Sequence, residues 1–208
     1  MSATAAPLAS DRSDFRTVTL GGATLGVATA VAVVAFLAAS RLVPIAAGTR
    51  GGVQALIVLA AGVAVAFLPA QWTAARSTEG IAGAAAMGLV GTVVFSIIDI
   101  VLLRPFKAYP WTWDAIGGGS TWWYLPIWWM LGTFAAWMGG IVTAAGAAAG
   151  GGGETTLARR ALPAVAGTII AVAIGRLAGV PVAFSVITGG AFTLVLAALA
   201  LVALARKG

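Results

Sequence analysis

Residues 80–103 read GIAGAAAMGLVGTVVFSIIDIVLL, a run whose only charge is Asp99. A helix needs about 20 apolar residues in succession to cross the hydrocarbon core of a bilayer. This run is long enough, and it lacks the period-2 alternation of a barrel strand. Backbone amides in lipid have no water to bond, so a helix that closes its own hydrogen bonds is the solution left. Five other stretches share this character. We therefore expect an all-α, polytopic integral membrane protein, a bundle of six transmembrane helices at 17–40, 52–70, 80–103, 121–144, 161–179 and 182–205. Residues 1–16 read as a disordered, polar N-terminal tail, and 206–208 as a short basic C-terminal tail.

Composition carries the same reading. Apolar residues are 61% of the 208 and charged residues only 9%, far outside the range of a water-soluble domain. Cysteine and histidine are both absent. Without imidazole or thiolate, haem, copper and zinc sites lose their commonest ligands. Lys107 and Lys207 lie at span ends, which argues against a retinal Schiff base inside the bundle. The net charge of +6 does not point to nucleic acid, because the basic residues are scattered one or two at a time beside the spans. There they anchor helix ends and meet anionic lipid.

The punctuation between spans is clear. Pro105 discourages helix in the residue before it, Pro181 parts the last two spans, and Ala145–Gly153 is too glycine-rich to hold a helix well. The first span exceeds the roughly 7–15 apolar residues of a signal peptide, so it is read as a retained anchor despite Ala38-Ala39-Ser40. With the N-terminus inside, seven Lys/Arg residues fall on the cytoplasmic side (Arg12, Arg16, Arg76, Arg159, Arg160, Arg206, Lys207) against five outside. The positive-inside rule then places both termini in the cytoplasm of a multi-pass cell-membrane protein.

Three features stand out within the spans. Small residues recur at four-residue spacing: Gly80, Ala84 and Gly88; Gly132, Ala136 and Gly140; Gly167, Ala171, Gly175 and Gly179. This spacing lets helix backbones approach closely in lipid, here within the chain's own bundle. Seven of eight tryptophans lie between Trp111 and Trp137. An interfacial belt accounts for Trp111, Trp113, Trp122 and Trp123. Trp128, Trp129 and Trp137 lie roughly 9 to 22 Å further along the helix at 1.5 Å per residue, and form an aromatic groove or interface suited to packing, or to a lipid tail, quinone or carotenoid. The third feature is Asp99, the one acid well inside a span. Ser96 and Thr92 precede it on the same face and turn it inward. Such a carboxylate needs a partner or a role. Arg176 is expected to supply the partner, since both residues sit about 5–6 Å below the same interface on helices that run in the same direction. The alternative is that Arg176 snorkels to the headgroups and Arg104 or Ser96 serves Asp99 instead.

No catalytic constellation is present: a serine has no histidine base, carboxylates do not pair on a face, and no glycine motif cradles phosphate. The expectation is a non-catalytic accessory or scaffold subunit of a larger membrane complex, packing through small-residue faces and the Trp-rich fourth helix. Its partners would be membrane lipids and other membrane subunits or further copies of the chain. The alternative is a small-solute or ion transporter or channel with Asp99 at its polar site. The topology is directly testable: a reporter fused after Gly208 should read cytoplasmic, and a periplasmic signal would reverse the assignment.

Overall fold

A computed structural model describes residues 12–43, 48–104, 124–149 and 156–206. It contains six helices long and apolar enough to cross a membrane, and no strand among the described residues. The protein is a multi-pass integral membrane protein with an all-α fold. Its spans are α1 (Phe15–Leu42), α2 (Thr49–Trp72), α3 (Thr78–Ile98, continued by a π-helical turn over Asp99–Leu103), α4 (Tyr124–Ala149), α5 (Leu157–Leu177) and α6 (Phe184–Ala205). Between 22% and 39% of each span's apolar window is buried within the chain, so most of the helical surface meets lipid.

The small residues set the packing. Gly21, Gly22 and Gly26 of α1 lie against Met87, Val90 and Val94 of α3, ascending together, so these two helices run parallel. Gly88 faces Gly132 and Ala136, while Gly140 faces Ile81 and Ala84, so α3 and α4 run antiparallel. Gly167 and Gly175 of α5 receive Val195 and Ile187 of α6. All three small-residue faces thus meet neighbours in the same chain, except at Gly179, which nothing approaches within 4 Å. α2 and α4 cross closely, with Gly139 against the Ala66 carbonyl. α2 is the hub, since it packs on every other helix. A core of Phe67, Met138, Ile141, Phe192 and Leu196 fills the space that α2, α4 and α6 enclose with α5.

Helix ends depart from the sequence reading where polar groups extend or trim them. The N-terminal tail ends earlier than expected. Asp14 caps α1, accepting from the Thr17 amide at 3.0 Å and the Thr17 hydroxyl at 2.6 Å. Those donors hold its carboxyl below the usual carboxylate range. Arg12 and Ser13 are docked too: the Arg12 amide donates to Thr73 O (2.8 Å) and the Ser13 hydroxyl to Glu79 Oε1 (2.9 Å). At the other end of α4 the helix runs through Ala149, beyond the expected 144. Alanine is the best helix former, and it offsets Gly146. Residues 105–123, which hold the expected tryptophan-bearing connector, lie outside the described residues.

The α2–α3 turn is tightly built. Thr73 is fully buried, and its hydroxyl lies within hydrogen-bond reach of Pro69 O (2.9 Å) and Gly80 O (3.1 Å), tying the two helices. Ala74 then takes the left-handed conformation (φ 50°), with Ala74 N–H donating to Gln71 O and Ala75 N–H to Ala70 O. This is the paired-bond helix stop that glycine usually occupies. Gly179 makes the same stop after α5 without the Cβ penalty (φ 73°).

The α2–α4 crossing generates a matched test. A Cβ at Gly139 would land on the backbone of Ala66, whereas nothing lies within 4 Å of one at Gly146. Gly139→Ala should therefore destabilise the detergent-solubilised protein by about 1–3 kcal/mol, an overpacking cost. Gly146→Ala should be neutral or stabilising by up to about 1 kcal/mol. Unfolding curves of the two variants, side by side, provide the check.

Candidate functional site

The polar face of α3 turns toward α4. Thr92, Ser96 and Asp99 are all buried, Asp99 with only 2% of its surface exposed. Helical spacing places them on one side, while Ile97, Ile100, Val101 and Leu102 look outward to lipid. Hydroxyls buried in lipid must find acceptors, and these use their own helix. Ser96 Oγ donates to Thr92 O (2.7 Å), and Thr92 Oγ1 lies 2.9 Å from Leu89 O and 3.2 Å from Gly88 O.

Trp129 joins α4 to this face, its indole N–H donating to Ser96 Oγ at 3.3 Å. Trp128 packs edge-on against Phe95, ring centroids 6.0 Å apart and planes at 73°. The favourable edge-to-face geometry closes the apolar side of the site. Gly132 makes the approach possible, since Thr92 occupies the space its side chain would need.

Asp99 opens the π-helical turn, and its ion partner is Arg104, whose Nε lies 3.2 Å from Asp99 Oδ2. The backbone bond of that turn also joins these residues, from Arg104 N–H to Asp99 O at 2.9 Å. A pairing of Asp99 with Arg176 was the expectation, and the structure corrects it. α5 packs chiefly on α6 and α2 rather than beside α3, so matched depth in the bilayer does not bring the two side chains together. Arg176 is exposed, with its guanidinium carbon 5.9 Å from the Phe184 ring centroid. Cation–π attraction and the negative end of α5 account for it locally.

Of the expected aromatic groove, Trp111, Trp113, Trp122 and Trp123 lie outside the described residues. The other three divide. Trp128 and Trp129 contact α3, while Trp137, 47% exposed, faces outward from the middle of α4 beside Met130, which is 71% exposed. Arg104, the alternative partner that the sequence offered five residues on, takes the place expected of Arg176. The sequence reading had no place for one further feature, a polar cavity at the opposite end of the bundle, bordered by Gln71, Arg76 and Arg160. Comparison with protein-family models, curated proteins and solved structures found no match for this chain.

The ion pair separates the two arginines experimentally. Arg104→Gln removes the partner of a carboxylate whose side chain is 3% exposed. Arg104 itself is 27% exposed, so the loss should fall short of a fully buried pair. About 1–3 kcal/mol of stability is expected to go. Arg176→Gln should cost no more than about 1 kcal/mol, the scale of an exposed cation–π contact. Denaturant unfolding in a fixed detergent would show the difference, and a larger effect at Arg176 would contradict the assignment.

Proposed function

We propose that this protein is a non-catalytic subunit of a larger membrane assembly, docked through the outward face of α4. One observation carries the reading: Trp137 faces outward from mid-span, where an aromatic belt does not account for it, and Met130 is exposed two turns before it. Trp137 lies thirteen residues past Tyr124, roughly 20 Å along the helix and near the centre of the hydrocarbon core. Tryptophan favours the headgroup level, because its N–H seeks a polar partner. A protein surface can offer both an acceptor and a shaped apolar socket at that depth. The small-residue faces compete less for this role, since Gly88, Gly132, Gly140, Gly167 and Gly175 already meet neighbours inside the bundle. In this reading both termini are cytoplasmic, in a cell membrane, and the partner is another membrane subunit or a second copy of the chain.

The burial of Asp99 at a π-helical turn favours a second reading, since such turns recur at functional sites. A small-solute or ion transporter would use Asp99 as its polar site, with uptake lost in Asp99→Asn. It ranks second because Thr92 and Ser96 already use their hydroxyl protons on their own helix, which leaves a thin lining for a polar route.

Affinity purification in mild detergent followed by mass spectrometry tests the first reading. A stoichiometric membrane partner should be recovered with the unaltered chain. Trp137→Leu keeps the span apolar and should leave intrinsic stability within about 0.5 kcal/mol, as for a surface change. Partner recovery should nevertheless fall about tenfold, the scale of a truncated aromatic anchor. Undiminished recovery with Trp137→Leu would remove α4 as the docking face.

A further inference from the structure

We propose that the turn between α5 and α6 is a lipid-binding tip, seated at the boundary between acyl chains and headgroups instead of standing in water. The turn lies at the end of the bundle opposite the start of α1 and the end of α6. From Leu177 through Phe184 its sequence is Leu-Ala-Gly-Val-Pro-Val-Ala-Phe, without a polar side chain. A turn that stands in water uses polar residues, and the α2–α3 turn does so: Arg76, Ser77, Thr78 and Glu79 are exposed in succession. In the α5–α6 turn the exposed side chains are Leu177, Val180 and Val182, with Leu177 at 88%. A contiguous apolar surface of this kind marks contact with lipid or protein.

The backbone meets the stricter requirement of lipid, that donors find acceptors within the chain. The Ala178 N–H donates to Ile174 O (2.8 Å), Gly179 N–H to Arg176 O (3.1 Å), Val180 N–H to Gly175 O (3.0 Å) and Val182 N–H to Val180 O (3.0 Å). Pro181, between them, has no N–H to satisfy. The paired bonds to Gly175 and Arg176 stop the helix around Gly179 in its left-handed conformation and bring Val180 beside Gly175. The Ala183 carbonyl then accepts from Val186 and Ile187, so α6 begins at once. The chain reverses direction while keeping these donors off water.

Length sets the depth. α5, at 21 residues, is the shortest of the six spans. Leu177 stands seventeen residues past Arg160, about 25 Å along the axis, and Phe184 stands twenty-two residues before Arg206, about 33 Å. A hydrocarbon core of about 30 Å ends between these values. Continuity with the lipid-facing surface selects lipid as the occupant. Ile170 and Ile174 on α5 and Val186 on α6 are exposed along the spans, and Leu177, Val180 and Val182 extend that apolar surface around the turn. Charge agrees. Neither α5 nor α6 contains an acid, and Arg176 is the last cation before the tip, its guanidinium carbon 5.9 Å from the Phe184 ring centroid. Its long stem lets the charge reach the phosphate of a lipid whose chains cover the turn.

The chain has no cysteine, so a single introduced one reports without background. The full chain carrying Val182→Cys, labelled with a bimane fluorophore, is reconstituted in phosphatidylcholine vesicles beside a Thr78→Cys control in the α2–α3 turn. A nitroxide near the headgroup end of the lipid acyl chain should quench the label at 182 about threefold more than the label at 78, as for a group seated at the acyl boundary. Acrylamide, a neutral quencher dissolved in the water, should show the reverse order. Thermal melts of the labelled chains confirm folding. If Val182→Cys does not fold, Ala178→Cys in the same turn carries the measurement, with the same result expected. Acrylamide quenching as strong as at position 78 would put the turn in water and overturn the proposal. Protection from both quenchers would put it in a contact between protein copies, and would overturn it equally.

Discussion

Close backbone contact at the α2–α4 crossing is the constraint on which the bundle depends. Lipid tails are as apolar as leucine, so burying apolar side chains between helices gains little over leaving them in the bilayer. What remains is van der Waals contact at short range, which large side chains at the crossing would prevent. Gly139 against Ala66, Gly22 against Val90 and Gly88 against Gly132 supply that contact at three crossings. The hub role of α2 follows from the first: with α4 drawn in so closely, α6 and α5 complete a ring around the same apolar core. The position of the α3 polar face follows from the third, because only a glycine at 132 lets Thr92 reach the α4 backbone.

The six spans were legible in the sequence because bilayer thickness imposes a length on every crossing, and a 20-residue apolar run has few other uses. The inward face of α3 was legible too, since Thr92, Ser96 and Asp99 follow helical periodicity. Boundaries were less so. The start of α1 turned on Asp14, a capping residue that looked like one more charge in a polar tail. The end of α4 turned on a run of alanines interrupted by Gly146, where two opposed propensities compete. Asp99's partner was misread for a different reason. Depth in the membrane can be counted from the chain, but lateral position cannot, and α3 and α5 share a depth without being close neighbours. The count also assumed uniform α geometry, which ranks a residue five positions on below one at matched depth, whereas a π-helical turn brings it back.

The two polar regions occupy opposite ends and differ in kind. Around Asp99 polar side chains pair within the chain: an acid with a base, an indole N–H with a hydroxyl, hydroxyls with their own helix. Such an arrangement holds helices in register and resists opening. At the terminal end Gln71, Arg76 and Arg160 border a cavity that opens to the surface. The first end resembles a fixed joint, the second an open cleft between helix ends.

The π-helical turn at Asp99–Leu103 also constrains how this helix can vary. An α-helix advances about 100° per residue, so the one residue absorbed by that turn shifts the angular phase of all that follows by the same amount. Deleting any one of Ile100, Val101, Leu102 or Leu103 would let the segment relax to regular α geometry while preserving the span's apolar character. In that shorter helix the arginine would stand four positions after Asp99, still within reach of it. The ion pair would therefore outlast the deletion, while the bulge and the rotation it imposes on the exit from the membrane would not. Length variation at this one point would re-aim the segment that follows without disturbing the charge balance beneath it.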